Sequence, residues 1–176
     1  MDWVALEEFA TEKRRGEVPE GNLDDGKPKR GRCDLYIGRP TEKGADFAIE
    51  AKQAWQSIGP NGTRTSDMMR VREAAWEDAA KLDRYEAQVR LAVTFVVPYI
   101  PSSCVEKHGV EPLLASWLAL NPFEKKRSPA ARAPIAWACV FPAKWHEFQN
   151  GHGRVFPGVG LVAELRQRAA RVNRTT

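Results

Sequence analysis

Apolar positions along the chain repeat with the periods of helices and strands in alternation. Helical spacing of apolar residues predicts helices over residues 2–15 and about 66–85. Between these helices, residues 34–37 and 46–54 alternate apolar and polar side chains on either side of a turn, which predicts a β-hairpin. Residues 16–32 are polar and rich in Gly and Pro, which predicts a loop.

The second half of the chain continues the alternation. Val89–Val97 is almost entirely apolar and largely β-branched, which is typical of a central strand covered on both faces. The remaining predicted elements are a helix near residues 112–120, a strand near 135–141, a short strand from Val155 and a basic C-terminal helix near 163–172. Together they predict one α/β domain over residues 1–176, with a mixed sheet and helices packed against it.

Composition narrows the class of protein. A chain of 176 residues with 43% apolar and 28% charged residues is typical of a globular domain. It contains no apolar run of membrane-spanning length, and its N-terminus lacks the features of a signal peptide, so we expect a cytoplasmic protein. Cys33, Cys104 and Cys139 form no C-x-x-C pair and are expected to be free thiols, and His146 and His152 lack the further ligands of a zinc site.

The net charge of +4 is unevenly distributed. Residues 122–176 carry 10 Lys and Arg against 3 Asp and Glu, which indicates a polyanionic partner because cations that neutralise phosphates supply most non-specific nucleic-acid affinity. The cations either follow a phosphate backbone or serve solubility alone. They include Lys125, Lys126 and Arg127 in a loop, and Arg166, Arg168, Arg171 and Arg174 on the predicted last helix.

The candidate chemistry lies in the predicted hairpin. Successive side chains of a strand point to opposite faces, so Glu50 and Lys52 share one face with Ala48, while the alternate face is apolar and is predicted to pack into the core. The same alternation on the preceding strand allows Asp34 to stand beside Glu50. A plain surface ladder of charges is the alternative for the E-x-K triplet. The upstream Asp34, the following helix and the buried strand after it favour a functional site.

Two converging carboxylates make an oxygen-rich site of the kind that Mg²⁺ prefers, and Mn²⁺ is expected to substitute. Asp34 and Glu50 are the predicted metal ligands, with the main-chain carbonyl of Ala51 or Gln53 as a further ligand. Such a metal polarises a phosphate and lowers the pKa of a bound water. Lys52 supplies a compact positive charge, which either holds the attacking water or neutralises the developing oxyanion.

Asp34 followed by Glu50-Ala51-Lys52 on a paired strand, then a helix and a hydrophobic strand, resembles the PD-(D/E)XK nuclease superfamily. The resemblance covers roughly residues 2–97, with residues 98–176 peripheral. It implies a restriction-endonuclease-like core, in which a mixed four-stranded central sheet is flanked by helices, and Mg²⁺-dependent cleavage of nucleic acid. It also implies that Asp34 and Glu50 bind metal and that Lys52 assists the attack.

The chain departs from the family pattern in two places. Cys33 stands where a proline usually precedes the aspartate, and the polar stretch 16–32 offers no obvious strand before Asp34. Many members also carry an acidic residue in the first helix that faces the metal. Glu7 or Glu8 either serves in that position or is a solvated helix residue.

The sequence therefore predicts a Mg²⁺-dependent nuclease, with a DNA endonuclease preferred, from a defence, restriction or mobile-element system. A catalytically silent nuclease-fold module that binds nucleic acid or a partner protein is the alternative. Because one active site cuts one strand of a duplex, a homodimer is compatible with this function. No membrane association is expected. Trp55 and Trp76 either stack on bases or pack in the core.

Overall fold

The computed structural model describes residues 4–15, 27–38, 46–60, 65–82, 87, 89–124, 134–144, 148–150 and 152–166. Within these ranges the chain is an α/β protein. Its strands are β1 (Val4–Arg15), β2 (Lys27–Gly38), β3 (Phe47–Ser57), β4 (Val89–Pro101), β5 (Ile135–Val140), β6 (Gln149–Asn150), β7 (Arg154–Val155) and β8 (Val159–Arg166). Its helices are α1 (Ser66–Lys81), α2 (Ser102–His108) and α3 (Val110–Leu118).

The strands form one mixed sheet, which is larger than the four strands predicted. Six of them follow the order β1-β2-β3-β4-β7-β6, and β8 pairs with both β4 and β5. The pairs β1–β2, β2–β3, β4–β7 and β6–β7 are antiparallel. The predicted α/β class with a mixed sheet is confirmed.

β3 and β4 run parallel, with α1 as the connection between them. The Val89 N–H donates to the Asp46 carbonyl and the Ile58 N–H donates to the Tyr99 carbonyl, each at 2.9 Å. In a parallel ladder both bonds fit one register, in which each residue of β3 lies beside the residue 42 positions later on β4. Glu50 therefore lies beside Ala92, and Trp55 lies beside Val97.

The prediction of a helix over residues 2–15 is wrong for the described part, because residues 4–15 form β1. The predicted loop 16–32 is also wrong from Lys27 onwards, where β2 begins. The two strands pair from Val4 with Gly38 to Arg15 with Lys27. The physical reason is that a strand is stabilised by a partner distant in sequence, and this partner is a polar, glycine-containing segment that carries no strand pattern of its own.

The C-terminal helix prediction is wrong for residues 163–166, which belong to β8. Burial along β8 has a period of two, with Gly160, Val162, Glu164 and Arg166 buried and the residues between them partly exposed. Ala, Glu, Leu and Arg favour helices when isolated, but hydrogen bonding to β4 and β5 overrides that local preference. Residues 167–172 of this prediction lie outside the described residues.

Most of the other predicted elements fit the structure, whereas the short strand predicted from Val155 is β7, which ends at that residue. The helix from Ser66 is α1, and its buried residues Met68, Ala75 and Ala79 are on the predicted apolar stripe. The buried strand from Val89 is β4, the predicted helix near residues 112–120 is α3, and the predicted strand near 135–141 is β5. α2 was not predicted. Within the described ranges, no helix combines the length and apolar character that crossing a bilayer requires.

Contacts within the chain define two compact units. The first comprises residues 1–51, 75–92 and 164–176, and the second comprises residues 52–74 and 93–163. The second unit has an apolar core around Met68, Val96, Ile100 and Trp117. The first unit has a small apolar cluster of Cys33, Ala48, Leu82 and Ala87. Among its described residues, the charged side chains of Glu50, Arg90, Glu164 and Arg166 are also buried.

Candidate functional site

Asp34 reaches from β2 to β3 at the point where the ladder between the two strands ends. The ladder pairs Ile37 with Phe47, Tyr36 with Ala48, and Leu35 with Ile49. One step further in the same register, Asp34 stands opposite Glu50. The Ala51 N–H donates a hydrogen bond of 2.8 Å to Oδ2 of Asp34. The carboxylate thus takes the place of a main-chain acceptor and is held against the strand that carries Glu50.

Glu50 is buried, with an exposed fraction of 1%. Along β3, residues 48, 49, 50, 54 and 56 are buried, residues 47, 51 and 52 are half-buried, and residues 53, 55 and 57 are exposed. Ile49 of the predicted apolar face is buried in the core, and Phe47 and Ala51 of that face are half-buried. Glu50 on the other face is buried as well, and beyond Lys52 only the face of Ala54 and Gln56 is covered. Small alanines occur on both faces of the strand, so the sequence alone does not decide which face is covered, and the packing of neighbouring elements does.

Buried positive charges share the first unit with Glu50. Arg90 and Arg166 have exposed fractions of 1% and 5%. In the parallel register Arg90 lies beside Ala48, and Glu50 lies beside Ala92. Arg90 is therefore two residues away from the position next to Glu50, on the same face of the sheet. The Arg166 guanidinium carbon lies 4.2 Å from the centroid of the Trp76 ring. Buried guanidinium groups offset part of the cost of burying a carboxylate.

Strand geometry brings the main chain of Ala51 towards Asp34. The N–H and the carbonyl of one strand residue face the same neighbouring strand. Since the Ala51 N–H bonds the Asp34 carboxylate, the Ala51 carbonyl is directed to the same side. Lys52 follows on β3 and is half-buried, on the same face of the strand as Glu50 by alternation.

The register between β1 and β2 distinguishes Glu7 from Glu8. Glu7 pairs with Leu35 and is exposed, and Phe9 pairs with Cys33. The main chain of Glu8 therefore stands opposite Asp34. The acidic position that we expected on a first helix is on a strand instead. Glu8, Asp34 and Glu50 occupy one level across three adjacent strands.

Residues next to Asp34 on β2 hold the hairpin together. The buried Cys33 thiol contacts the carbonyls of Leu35 at 3.4 Å and Ile49 at 3.5 Å, so it links β2 to β3. Burial raises the pKa of the Tyr36 phenol above its ordinary value of 10.0. The negative charge of Asp46, and the hydrogen bond that the phenol donates to it, raise this pKa further. Gly38 leaves room for the Tyr36 side chain, because a Cβ at this position would lie 2.6 Å from the Tyr36 hydroxyl oxygen.

Two features bear on metal binding. Among the described residues, three or more His, Cys, Asp or Glu side chains do not converge at any point. The predicted donor set of Asp34, Glu50 and the Ala51 carbonyl has two carboxylates and one main-chain oxygen, and these are hard oxygen ligands of the kind that Mg²⁺ takes together with several waters.

Cys104 and Cys139 are free and half-buried, and His152 is exposed. His146 lies outside the described residues.

The structure changes the interpretation of several residues that were predicted to contact nucleic acid. Arg166 is buried on a strand, so its proposed role in tracking phosphates is wrong. Trp76 is buried, whereas Trp55 is exposed and makes an edge contact with Phe156 at 5.7 Å between ring centroids. The predicted cations Lys125, Lys126, Arg127, Arg168, Arg171 and Arg174 lie outside the described residues.

Sequence reasoning did not identify Arg90 and Glu164 as buried charged residues. Each is a charged side chain inside an otherwise apolar strand segment, Val89-Arg90-Leu91 and Ala163-Glu164-Leu165. A charge at such a position is the available signal, because an unpaired buried charge is costly and is retained only with partners.

Comparison with known proteins gives no match: no family model, no curated protein and no solved structure is significantly similar to this chain.

Proposed function

We propose that the chain is a Mg²⁺-dependent nuclease that hydrolyses phosphodiester bonds of nucleic acid, with DNA as its substrate. The observation that carries the proposal is the 2.8 Å hydrogen bond from the Ala51 N–H to the Asp34 carboxylate. It joins the isolated upstream aspartate to the strand that carries Glu50 and Lys52. Together with the register that sets Asp34 opposite Glu50, this bond relates the upstream aspartate to the E-x-K triplet.

Asp34, Glu50 and the Ala51 carbonyl are the groups that would hold the metal, and Glu8, whose main chain stands opposite Asp34, is the acidic residue proposed to join them. When bound, Mg²⁺ polarises the scissile phosphate and lowers the pKa of a water molecule. Asp34 is oriented by the Ala51 N–H, which restricts the rotation of its carboxylate. Like charges opposite one another on neighbouring strands are destabilising, so acidic residues at one level favour a bound cation.

Lys52 is the proposed catalytic cation. It follows the Ala51 carbonyl and shares a strand face with Glu50. Its ammonium group would hold the attacking water or neutralise the charge that develops on the phosphate oxygens. An interaction of that kind acts in the transition state and stabilises it by about 3 kcal/mol.

The proposed nuclease has a restriction-endonuclease-like core formed by the β2–β3 hairpin, α1 and the parallel strand β4. The supporting features are the Asp34 position, the Glu50-Ala51-Lys52 triplet and the helical crossover to a buried strand. We place it in the cytoplasm, in a defence, restriction or mobile-element system. Cutting both strands of a duplex would use a homodimer.

A second candidate is a nuclease-fold module that binds nucleic acid or a partner protein without cutting nucleic acid. The burial of Glu50 in a unit that also buries Arg90 and Arg166 favours it. Guanidinium groups buried together with a carboxylate can balance its charge in place of a metal.

Metal titration of matched variants tests the proposed function. Asp34→Asn and Glu50→Gln each remove a ligand charge at constant volume, so Mn²⁺ binding measured by calorimetry should be lost while the fold is retained. Asp67→Asn, on the exposed start of α1, is the control and should bind Mn²⁺ like the parent protein. Nicking of supercoiled plasmid should require Mg²⁺ and stop in EDTA. Equal metal affinity in all four proteins would reject the site, and binding without nicking would support the second candidate.

A further inference from the structure

The second unit has an aromatic sheet surface on the side of β3 and β4 away from its apolar core. Trp55 and Phe95 have exposed fractions of 51% and 42%, which is high for large aromatic side chains in the middle of strands. Both have odd numbers, and the even-numbered residues of the same strands, such as Ala54 and Val96, belong to the core. In the parallel register Trp55 lies beside Val97, and Phe95 lies beside Gln53.

Further aromatic rings and a cation extend this surface towards β7. Trp55 meets the ring of Phe156 edge-on, with 5.7 Å between centroids. The guanidinium carbon of the exposed Arg154 lies 4.6 Å from the centroid of the Tyr99 ring. We call the surface formed by Trp55, Phe95, Tyr99, Arg154 and Phe156 the aromatic face.

The aromatic face is chemically mixed. The exposed polar residues Gln53 and Ser57 flank Trp55 on the same side of β3. The second unit, by its sequence, carries 11 Lys and Arg against 6 Asp and Glu, whereas the first unit carries 16 against 17. The positive surplus of the whole chain therefore belongs to the unit that presents the aromatic rings. Aromatic rings beside an arginine and hydrogen-bonding side chains, on a positively charged unit, complement a polyanion with flat apolar groups.

We propose that the aromatic face binds single-stranded nucleic acid, with bases stacked on Trp55 and Phe95 and a phosphate held by Arg154. Single strands fit and duplexes do not, because the base faces that stack on a protein ring are hidden inside a duplex. A second copy of the chain fits poorly, since a two-fold contact brings each Arg154 and each positively charged unit against its own copy.

The binding surface is separate from the proposed cleavage chemistry. Trp55 and Lys52 point to opposite faces of β3, because odd-numbered and even-numbered side chains alternate. The choice of nucleic acid as partner rests on the proposed function. The stacking surface itself rests on the exposed rings, so the two proposals fail in different experiments.

The test is the affinity for a labelled oligothymidylate of about 20 nucleotides, measured by fluorescence anisotropy in EDTA so that cleavage does not occur. Trp55→Ala and Phe95→Ala should each weaken binding by about 5- to 150-fold, which is the loss expected for one stacked base. Trp55→Phe keeps a ring and should retain most of the affinity. Val140→Ala, at an apolar residue with an exposed fraction of 63%, is the control and should bind like the parent protein.

Salt dependence and the site variants separate the possible outcomes. Arg154→Ala should reduce the slope of log affinity against log salt by about 0.7, the single-strand value for one phosphate contact. Because binding is measured in EDTA, loss of binding in Trp55→Ala supports the aromatic face even where the proposed metal site fails. Unchanged affinity in Trp55→Ala and Phe95→Ala would overturn the proposal. Sedimentation showing that Trp55→Ala dissolves a dimer, without loss of oligonucleotide binding, would assign the face to a second copy.

Discussion

Asp34 is held where main-chain pairing between two strands ends. The ladder of β2 and β3 reaches Leu35 and Ile49, and the next N–H that faces β2 belongs to Ala51. A main-chain N–H without an acceptor costs about 1–3 kcal/mol when it is buried, and the Asp34 carboxylate supplies that acceptor. A charge-assisted bond of 2.8 Å also fixes the orientation of the carboxylate. One bond therefore stabilises the hairpin and positions an acidic group.

Lys52→Ala should separate binding from cutting at the residue scale. The ammonium is assigned to the transition state, so its loss should lower the cleavage rate by about 10²–10³ with little change in substrate or metal affinity. Lys52→Arg should restore little activity, because a planar guanidinium does not occupy the position of a compact ammonium.

The measurement for Lys52 is single-turnover plasmid cleavage at saturating Mg²⁺, with substrate binding followed in Ca²⁺. Lys107→Ala, which removes an exposed lysine of α2, is the matched control and should cut at the parental rate. If Lys52→Ala also cuts at the parental rate, Lys52 is a structural lysine and the proposed active site loses its catalytic cation.

At the scale of elements, β8 buries charge in the interior of the first unit. Its alternating burial directs Glu164 and Arg166 inwards, and Arg166 stacks on Trp76 of α1. A guanidinium stacked on an indole keeps a favourable electrostatic contact after it leaves water. β8 therefore contacts α1 through the cation–π interaction of Arg166 with Trp76.

Arg166→Ala should lower the free energy of unfolding by about 2–4 kcal/mol, because it removes the stacked guanidinium and leaves buried groups with fewer partners. Arg70→Ala, at an exposed position of α1, is the control and should change stability by less than about 0.5 kcal/mol. Urea denaturation followed by circular dichroism measures both. Equal stability of the two variants would show that Arg166 contributes nothing to the interior.

For the whole molecule, the distribution of charge between the two units predicts where a polyanion binds. The second unit carries a surplus of five positive charges, and the first unit carries a deficit of one. Attraction of nucleic acid to the second unit weakens with salt, since each phosphate contact releases a counterion.

Replacing Lys125, Lys126 and Arg127 by Gln should flatten the slope of log affinity for duplex DNA against log salt by up to about 0.9 for each lost phosphate contact. The matched control replaces Lys13, Arg14 and Arg15, which changes the charge equally in the first unit and should leave the slope nearly unchanged. Filter binding at several salt concentrations gives both slopes. Equal flattening in the two variants would mean that affinity follows net charge rather than its distribution.

The sequence by itself determined the elements whose signal is local. Alternation around a turn predicted the hairpin of β2 and β3, which makes Asp34 and Glu50 register neighbours. The helical stripe from Ser66 predicted α1, and an apolar, β-branched run predicted β4. The assignment of metal and catalytic roles to Asp34, Glu50 and Lys52 stays a prediction.

Only the tertiary structure decided the features that depend on contacts between distant segments. β1 and β8 are strands because β2, β4 and β5 supply their hydrogen-bond partners, although their own residues favour helices. The same pairing places Glu8, rather than Glu7, opposite Asp34. The packing of elements decided that Glu50 on β3 and Arg166 on β8 are buried while Trp55 on β3 is exposed. Periodicity along one segment indicates that its two faces differ, but the elements packed against the segment determine which face is buried.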